Sequence, residues 1–155
     1  MQKKSLILGL FICAAASFPL GAATVSFLVI ETGLSRESGN SRQSAMWENG
    51  LMDVFFETGH IVSNAPILRI FRKPADGFPG EAERDYKEAK EGEIDFFIVA
   101  IVSHPAPYNV TLRLFRTNSQ KMLYEQKYTD KTYKTQKEEY DSIKETIGLL
   151  AARVR

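Results

Sequence analysis

The stretch Ile94-Asp95-Phe96-Phe97-Ile98-Val99-Ala100-Ile101-Val102 contains one charge and no turn former, and Ser103-His104-Pro105 ends it. A run this short, rich in β-branched and aromatic residues, is typical of a strand that is covered on both faces. A globular helix is usually longer and carries a polar side. We therefore predict that residues 94–102 form the central strand of a single sheet.

Two strand-helix units precede this stretch. Strand one is the apolar run 25–30. Helix one is the amphipathic segment that follows, and it ends at Gly59. An acidic start, a lysine-bearing end and Gly92 define helix two. The predicted bounds are helix one 44–58, strand two 61–63 with a continuation at 67–71 after Pro66, and helix two 81–91.

A hairpin and a helix follow the central strand. Apolar and polar residues alternate over 110–114, as in a half-buried strand. Residues 117–120 favour a turn, and residues 122–129 are predicted to form the second strand of the hairpin. Helix three, 135–154, carries one apolar stripe. The chain therefore predicts an α/β (α+β) fold, a mixed sheet of about five strands in the order β-α-β-α-β-β-β-α, packed by three helices.

The first 23 residues have the composition of an export signal. Lys3 and Lys4 precede the apolar segment 6–16, and Gly21-Ala22-Ala23 supplies the small side chains that a signal peptidase recognises. We predict cleavage after Ala23, which leaves residues 24–155 as one domain. The later sequence has no apolar stretch of the roughly 20 residues that a membrane span needs, so we expect no stable membrane span after cleavage.

Cys13, the single cysteine, lies inside the apolar segment of the signal. A lipoprotein attached there is the less favoured alternative, because Ile12 stands where a lipid-attachment motif has a small residue. Cleavage after Ala23 leaves a chain without cysteine, which fits a bacterial periplasm better than a disulfide-rich extracellular space.

Charge and motifs exclude several functions. Lys and Arg number 20 against 19 Asp and Glu, which predicts no general attraction to nucleic acid. The sequence holds no nucleophile elbow, phosphate-binding glycine loop or dinucleotide fingerprint, so we predict no enzyme activity and no cofactor. His60 and His104 could join Glu31 or Asp95 around a metal, but surface or capping histidines are the favoured interpretation, and we predict no metal site.

The order of these elements resembles a superfamily of bacterial envelope domains. The features that carry the likeness are strand one, helix one ending at Gly59, Gly92 leading into Asp95-Phe96-Phe97-Ile98-Val99, and the hairpin arm 110–115. Members of the superfamily include the amino-terminal domain of TolB, the penicillin-binding-protein activator lipoproteins and the curli secretion lipoprotein. The resemblance implies a periplasmic interaction domain, with no catalytic residues to carry over and no specified partner.

The polar segment 31–44 follows strand one and is the first candidate binding site. Ligands of open α/β sheets lie beyond the carboxyl ends of parallel strands, where this segment begins. Glu31, Arg36 and Arg42 are the candidate residues, and the two arginines could clasp a carboxylate or phosphate. A flexible connector is the favoured interpretation of this segment.

Helix one is the second candidate. Its apolar arc is about 200° wide on a helical wheel, which is more than one sheet face covers. Trp47, Met52 and Phe56 could form a protein-binding patch, since aromatic residues and methionine are enriched at interface centres. Burial in the core is the favoured interpretation of such a stripe.

These observations predict an exported, non-enzymatic interaction domain that binds another envelope protein or itself. The alternative is a periplasmic protein that binds a small ligand or anion through the loop after strand one.

Overall fold

The computed structural model describes residues 21–35 and 41–154, which form a six-stranded mixed sheet between two helical layers. The strands are β1 (Thr24–Thr32), β2 (Ile61–Asn64), β3 (Leu68–Ile70), β4 (Phe96–Ser103), β5 (Asn109–Arg116) and β6 (Lys121–Thr129). The helices are α1 (Arg42–Glu57), α2 (Glu83–Glu91) and α3 (Gln136–Ala151), and a 3-10 turn, Gly80–Ala82, precedes α2. The predicted mixed sheet and its three helices are confirmed.

Strand β4 lies in the middle of the sheet, whose order is β2-β1-β4-β5-β6. It pairs in parallel with β1 and antiparallel with β5. Every residue from Phe96 to Val102 is buried, because helices cover both faces at this position. The prediction that this stretch is the central strand is confirmed.

The parallel half of the sheet is built around β1, which pairs with β2, β3 and β4. Pro66 lies between β2 and β3 and has no N–H to donate to a ladder. The predicted second strand is therefore two short strands, β2 and β3, which pair with residues 24–27 and 30–32 of β1. This division raises the strand count from about five to six.

The two faces of the sheet are covered differently. Phe27, Ile98 and Leu112 point toward α1 and α3, and they belong to the larger of two buried clusters. On the other face, a smaller cluster of buried side chains packs against α2 and Phe78. Because side chains alternate along a strand, the three inner strands β1, β4 and β5 each contribute to both clusters.

Helix α1 begins earlier than its sequence pattern predicts. Ser41 is the N-cap, and its hydroxyl accepts a hydrogen bond from the Ser44 N–H. Glu31 and Thr32 belong to β1 rather than to a loop. The predicted loop bounds, 31–44, were therefore wrong, because both neighbouring elements extend into that segment.

Most of the predicted export signal, including Cys13, lies in residues 1–20, outside the described part of the chain. Within the described ranges, no helix is both long enough and apolar enough to cross a membrane.

Candidate functional site

The carboxyl end of β1 carries a buried carboxylate. The side chain of Glu31 is 0% exposed, and it points toward α1 on the same face as Phe27. The Ser41 N–H donates to Glu31 Oε1 at 2.8 Å, and Arg69 donates from Nε and a terminal nitrogen to Oε2 at 3.2 and 2.8 Å. Both carboxylate oxygens are therefore engaged within the protein.

These contacts determine the charge of Glu31. Burial acts to raise its pKa, but the hydrogen bonds from Ser44, Arg69 and Ser41 outweigh burial, so the pKa lies below its ordinary value. The carboxylate is ionised at neutral pH, and it holds the N-terminus of α1 against the end of the sheet. Because both of its oxygens are hydrogen-bonded and buried, the Glu31 carboxylate is not available to bind a ligand.

His104 lies at the same end of the sheet, after β4. Its backbone N–H donates to the Thr32 carbonyl at 2.9 Å, and its ring packs edge-on against Tyr108 at 4.9 Å. Nε2 is buried and has no hydrogen-bond partner among the described residues. Burial lowers the pKa of His104, the charge of Glu31 opposes that effect, and Arg69 adds to it. We conclude that His104 is neutral at pH 7.

Gly33 allows the chain that follows β1 to lie close to the backbone of His104. Its φ is +83°, and a Cβ built there would lie 2.2 Å from the carbonyl oxygen of His104. Only glycine fits this position without a shift of the backbone.

The predicted arginine clasp is only partly described. Arg36 lies in 36–40, outside the described residues. Arg42, the first residue of α1, forms an ion pair with Glu139 of α3, and Gln43 donates to the same carboxylate at 2.9 Å. Arg42 thus joins the N-termini of α1 and α3, although its own side chain is still 56% exposed.

The helix-one residues do not share one surface. Trp47 is 1% exposed and packs edge-on against Tyr128 of β6, at 5.1 Å between ring centroids. Met52 is partly buried against the same core, whereas Phe56 is 74% exposed. Among these three residues, Phe56 alone offers an open apolar side chain.

Helix α3 accounts for the wide apolar arc of α1. A Cβ added at Gly50 would lie 2.9 Å from Ile147 and 3.1 Å from Ile143, so the two helices touch closely at that point. The arc of α1 faces the sheet on one side and α3 on the other. Its width therefore reflects two contacts inside the domain, and a partner protein is not needed to explain it.

The other residues considered for a metal site are far apart along the strands. His104 and Glu31 lie at the carboxyl end of the parallel strands, whereas His60 precedes β2 and Asp95 precedes β4, at the amino end. No group of three or more His, Cys, Asp or Glu that could hold a metal occurs in the part of the chain that the structure describes.

A polar groove of about 370 Å³ lies between α2 and the β2 side of the sheet. Ser26 and Ser63 stand opposite each other on β1 and β2 and line it, together with Asp85 from α2. The Asp85 carboxylate accepts a hydrogen bond from Arg84 at 3.1 Å. No local sequence pattern predicts this groove, because its lining comes from three separate stretches of the chain.

Strand β6 leaves one side of its backbone open, a feature that residue patterns alone do not display. It is the last strand in the sheet order, with β5 on one side only. Met122 and Leu123 at its start are 42% and 37% exposed. A strand at the edge of a sheet presents unpaired N–H and C=O groups to any chain that approaches.

Solved structures share this fold at low sequence identity. A PelC variant dodecamer from Paraburkholderia phytofirmans is 12% identical, with a TM-score of 0.53 over 84% of this chain and 89% of that chain. The C-terminal domain of LpoB from Escherichia coli is 12% identical, with a TM-score of 0.47 over 72% and 84% of the two chains. No protein-family model and no curated protein matches the sequence.

TolB from Acinetobacter baumannii also matches, at 9% identity and a TM-score of 0.47, over 85% of this chain and 28% of TolB. The predicted likeness to the TolB type of domain is thus confirmed as a likeness of fold.

Proposed function

We propose that this chain is an exported, non-enzymatic interaction domain of the bacterial envelope, which binds copies of itself or another envelope protein through the outer edge of β6. The open backbone of that nine-residue strand carries the proposal. Burial of the Glu31 carboxylate, which lies at the same end of the sheet as His104, supports the non-enzymatic assignment.

The ladder between β5 and β6 shows which amides point outward. The Asp130 N–H donates to the Tyr108 carbonyl at 2.8 Å, and the next pair along the ladder is Asn109 with Thr129. Bonded and non-bonded pairs alternate in an antiparallel ladder. Lys127 and Glu125, opposite Thr111 and Arg113, belong to the pairs that exchange no backbone hydrogen bonds with β5. Their backbone N–H groups therefore face away from β5.

The charges along this edge suit a second copy of the same strand. If two β6 strands pair antiparallel about a two-fold axis at Gln126, Glu125 of each copy lies opposite Lys127 of the other. Both residues have outward N–H groups, so the same register also forms backbone hydrogen bonds. Opposite charges that face each other across two strands stabilise the pair.

One comparison and the sequence support this proposal. PelC, which shares the fold with a TM-score above 0.5, is described as a dodecamer. The resemblance of the sequence to bacterial envelope domains favours export and an envelope location for this chain. Strand addition at an open sheet edge is a common way for such domains to bind.

Light scattering over a range of protein concentrations tests the proposal. We expect the exported protein to self-associate, or to capture an envelope protein in a pull-down, and we expect Lys127→Pro to abolish that binding. Proline at 127 removes an outward N–H and leaves the bonds to β5 intact. Lys127→Thr keeps the N–H and is the matched control. A strict monomer without a partner, or equal binding by the two variants, would contradict the proposal.

The alternative, a small-ligand or anion-binding protein that uses Arg36 and Arg42, has its own test. It predicts that an added anion raises the melting temperature of the protein and that Arg36→Ala removes this shift. The ion pair between Arg42 and Glu139 weakens this alternative, because it already neutralises one of the two arginines.

A further inference from the structure

The amino end of β1 contains an acceptor for a chain terminus. The backbone nitrogen of Thr24 donates to Asp95 Oδ2 at 2.9 Å, and the Thr24 hydroxyl donates to the same oxygen at 2.9 Å. The Asp95 N–H donates to the Thr24 hydroxyl oxygen at 2.9 Å. Three hydrogen bonds therefore join these two residues, which are 71 positions apart in the sequence.

We propose that hydrolysis of the Ala23–Thr24 peptide bond makes Thr24 the first residue of the mature protein and that Asp95 binds the resulting α-ammonium group. The inference rests on the export included in the proposed function. A signal peptidase would catalyse the cleavage with water: the hydroxyl joins the carbonyl carbon of Ala23, and the nitrogen of Thr24 gains a proton. At neutral pH the new carboxyl group of Ala23 releases its proton and the amine takes one up, so the products are a carboxylate and an ammonium.

Cleavage strengthens a contact that already exists. In the uncut chain, the nitrogen of Thr24 is a neutral amide that donates one hydrogen to Asp95. After cleavage, the same nitrogen carries a positive charge, so the bond becomes charge-assisted, and such bonds are roughly twice as strong as neutral ones. No movement of the carboxylate is needed, because the two atoms are already at hydrogen-bond distance.

The cut also falls at the boundary of the fold. Strand β1 begins at Thr24, and Gly21 and Ala22 before it are exposed and outside any helix or strand. Cleavage releases Ala23, whose carbonyl accepts a hydrogen bond from the Ile61 N–H at 3.1 Å and whose side chain packs against the edge of the larger cluster. Ile61 is 62% exposed at the start of β2, so water can replace that acceptor.

Other charged groups stand near Asp95. Lys90 and Glu93 from the end of α2 and its following turn, with Arg116 from β5, line a cavity of about 320 Å³ together with Asp95. The two cations oppose binding of an ammonium, and Glu93 favours it. Substitution of Asp95 alone leaves these contributions unchanged, which makes Asp95→Asn the informative variant.

The first part of the test is the terminus of the exported protein. The full chain, 1–155, is produced in a bacterium that exports it, and its N-terminus is determined by intact mass and sequencing. We expect Thr24. A protein that begins at any other residue, or that keeps the leader, overturns the inference. Self-association is measured separately, so a wrong terminus in a protein that still assembles leaves the proposed function intact.

The second part measures the α-amine itself, by NMR titration of the exported protein after ¹³C-methylation of its amines. We expect a pKa raised by about one unit above its ordinary value in the parent, and a return to the ordinary value in Asp95→Asn. Lys90→Gln is the control, and it keeps the pKa raised. An ordinary α-amine pKa in the parent, unchanged by Asp95→Asn, contradicts the role of Asp95.

Discussion

The carboxyl end of β1 and the outer edge of β6 differ in how their polar groups are used. At the first, Glu31 is buried and both of its oxygens accept hydrogen bonds from the protein. At the second, the backbone N–H groups of Glu125 and Lys127 face away from the sheet. The first region holds a charged side chain that is buried and already bonded, whereas the second holds backbone groups that can bond to another chain.

This difference shows that polar side chains near a strand end do not by themselves indicate a ligand site. Glu31 stabilises the junction between β1, β3 and α1, so its contribution is to folding. An edge strand needs no unusual side chain to bind another strand, because its backbone supplies the hydrogen bonds. We therefore assign stability to the first region and recognition to the second, and the predictions below test that division.

The largest expected effect is that of Glu31→Gln, which removes the buried negative charge that pairs with the guanidinium of Arg69. Removing one member of a buried pair typically costs about 3–5 kcal/mol, and we expect a loss of that order in the free energy of unfolding. Urea denaturation measures it.

The matched control is Glu57→Gln, which breaks the exposed pair with Lys144. An exposed pair contributes at most about 1 kcal/mol. Equal losses in the two variants would show that the carboxyl end of β1 is not the closed, stabilising region described above. A folded Glu31→Gln variant should still associate through β6.

The next effect concerns Gly33. Gly33→Ala combines a left-handed backbone with a steric conflict, since its Cβ would lie 2.2 Å from the His104 carbonyl oxygen. Gly59 also has a positive φ, +84°, but a Cβ added there would have no atom within 4 Å, so Gly59→Ala tests the backbone effect alone. We expect Gly59→Ala to lose about 1 kcal/mol and Gly33→Ala to lose clearly more. Thermal or urea unfolding compares them, and similar losses would contradict the close approach at His104.

The smallest effect is a dependence on pH. The pKa of Glu31 is lowered on folding, so its contribution is complete above the unfolded pKa, about 4.3, and is lost as pH falls through the folded value. The lowered pKa of His104 adds an earlier loss as pH falls below about 6.5. Urea unfolding between pH 7 and 3 should show both losses in the parent. Glu31→Gln should reduce the lower one to the part that Glu81 contributes, since hydrogen bonds from its own backbone and from Arg72 also lower the pKa of Glu81. An undiminished loss would show that Glu31 does not cause it.

Much of the fold follows from sequence patterns because the patterns match the burial. The run that ends at Val102 is apolar on both faces, and both of its faces are covered. Helix α1 is amphipathic as its sequence pattern predicts, and Trp47, Leu51 and Phe55 on its apolar side are buried. The start of α1 was missed because Ser41 and Ser44 are equally good N-cap residues, and the contact with Glu31 selects Ser41.

The candidate sites were harder to predict, because they depend on contacts distant in sequence. Nothing in the residues around Glu31 shows that Arg69, 38 positions away, occupies its carboxylate. Likewise, the width of the α1 arc does not distinguish α3 from a partner protein. The open edge of β6 follows from strand order, which the sequence determines only through the packing of the whole sheet.

Residue-resolved hydrogen exchange across protein concentrations tests the role of β6 most directly. We predict that association slows exchange at the amides of Glu125 and Lys127 at least about tenfold, which corresponds to roughly 1.4 kcal/mol of protection. The amide of Gln126, which faces Leu112 inside the sheet, should change much less. Association that leaves the Glu125 and Lys127 amides as exposed as in the monomer would contradict the account.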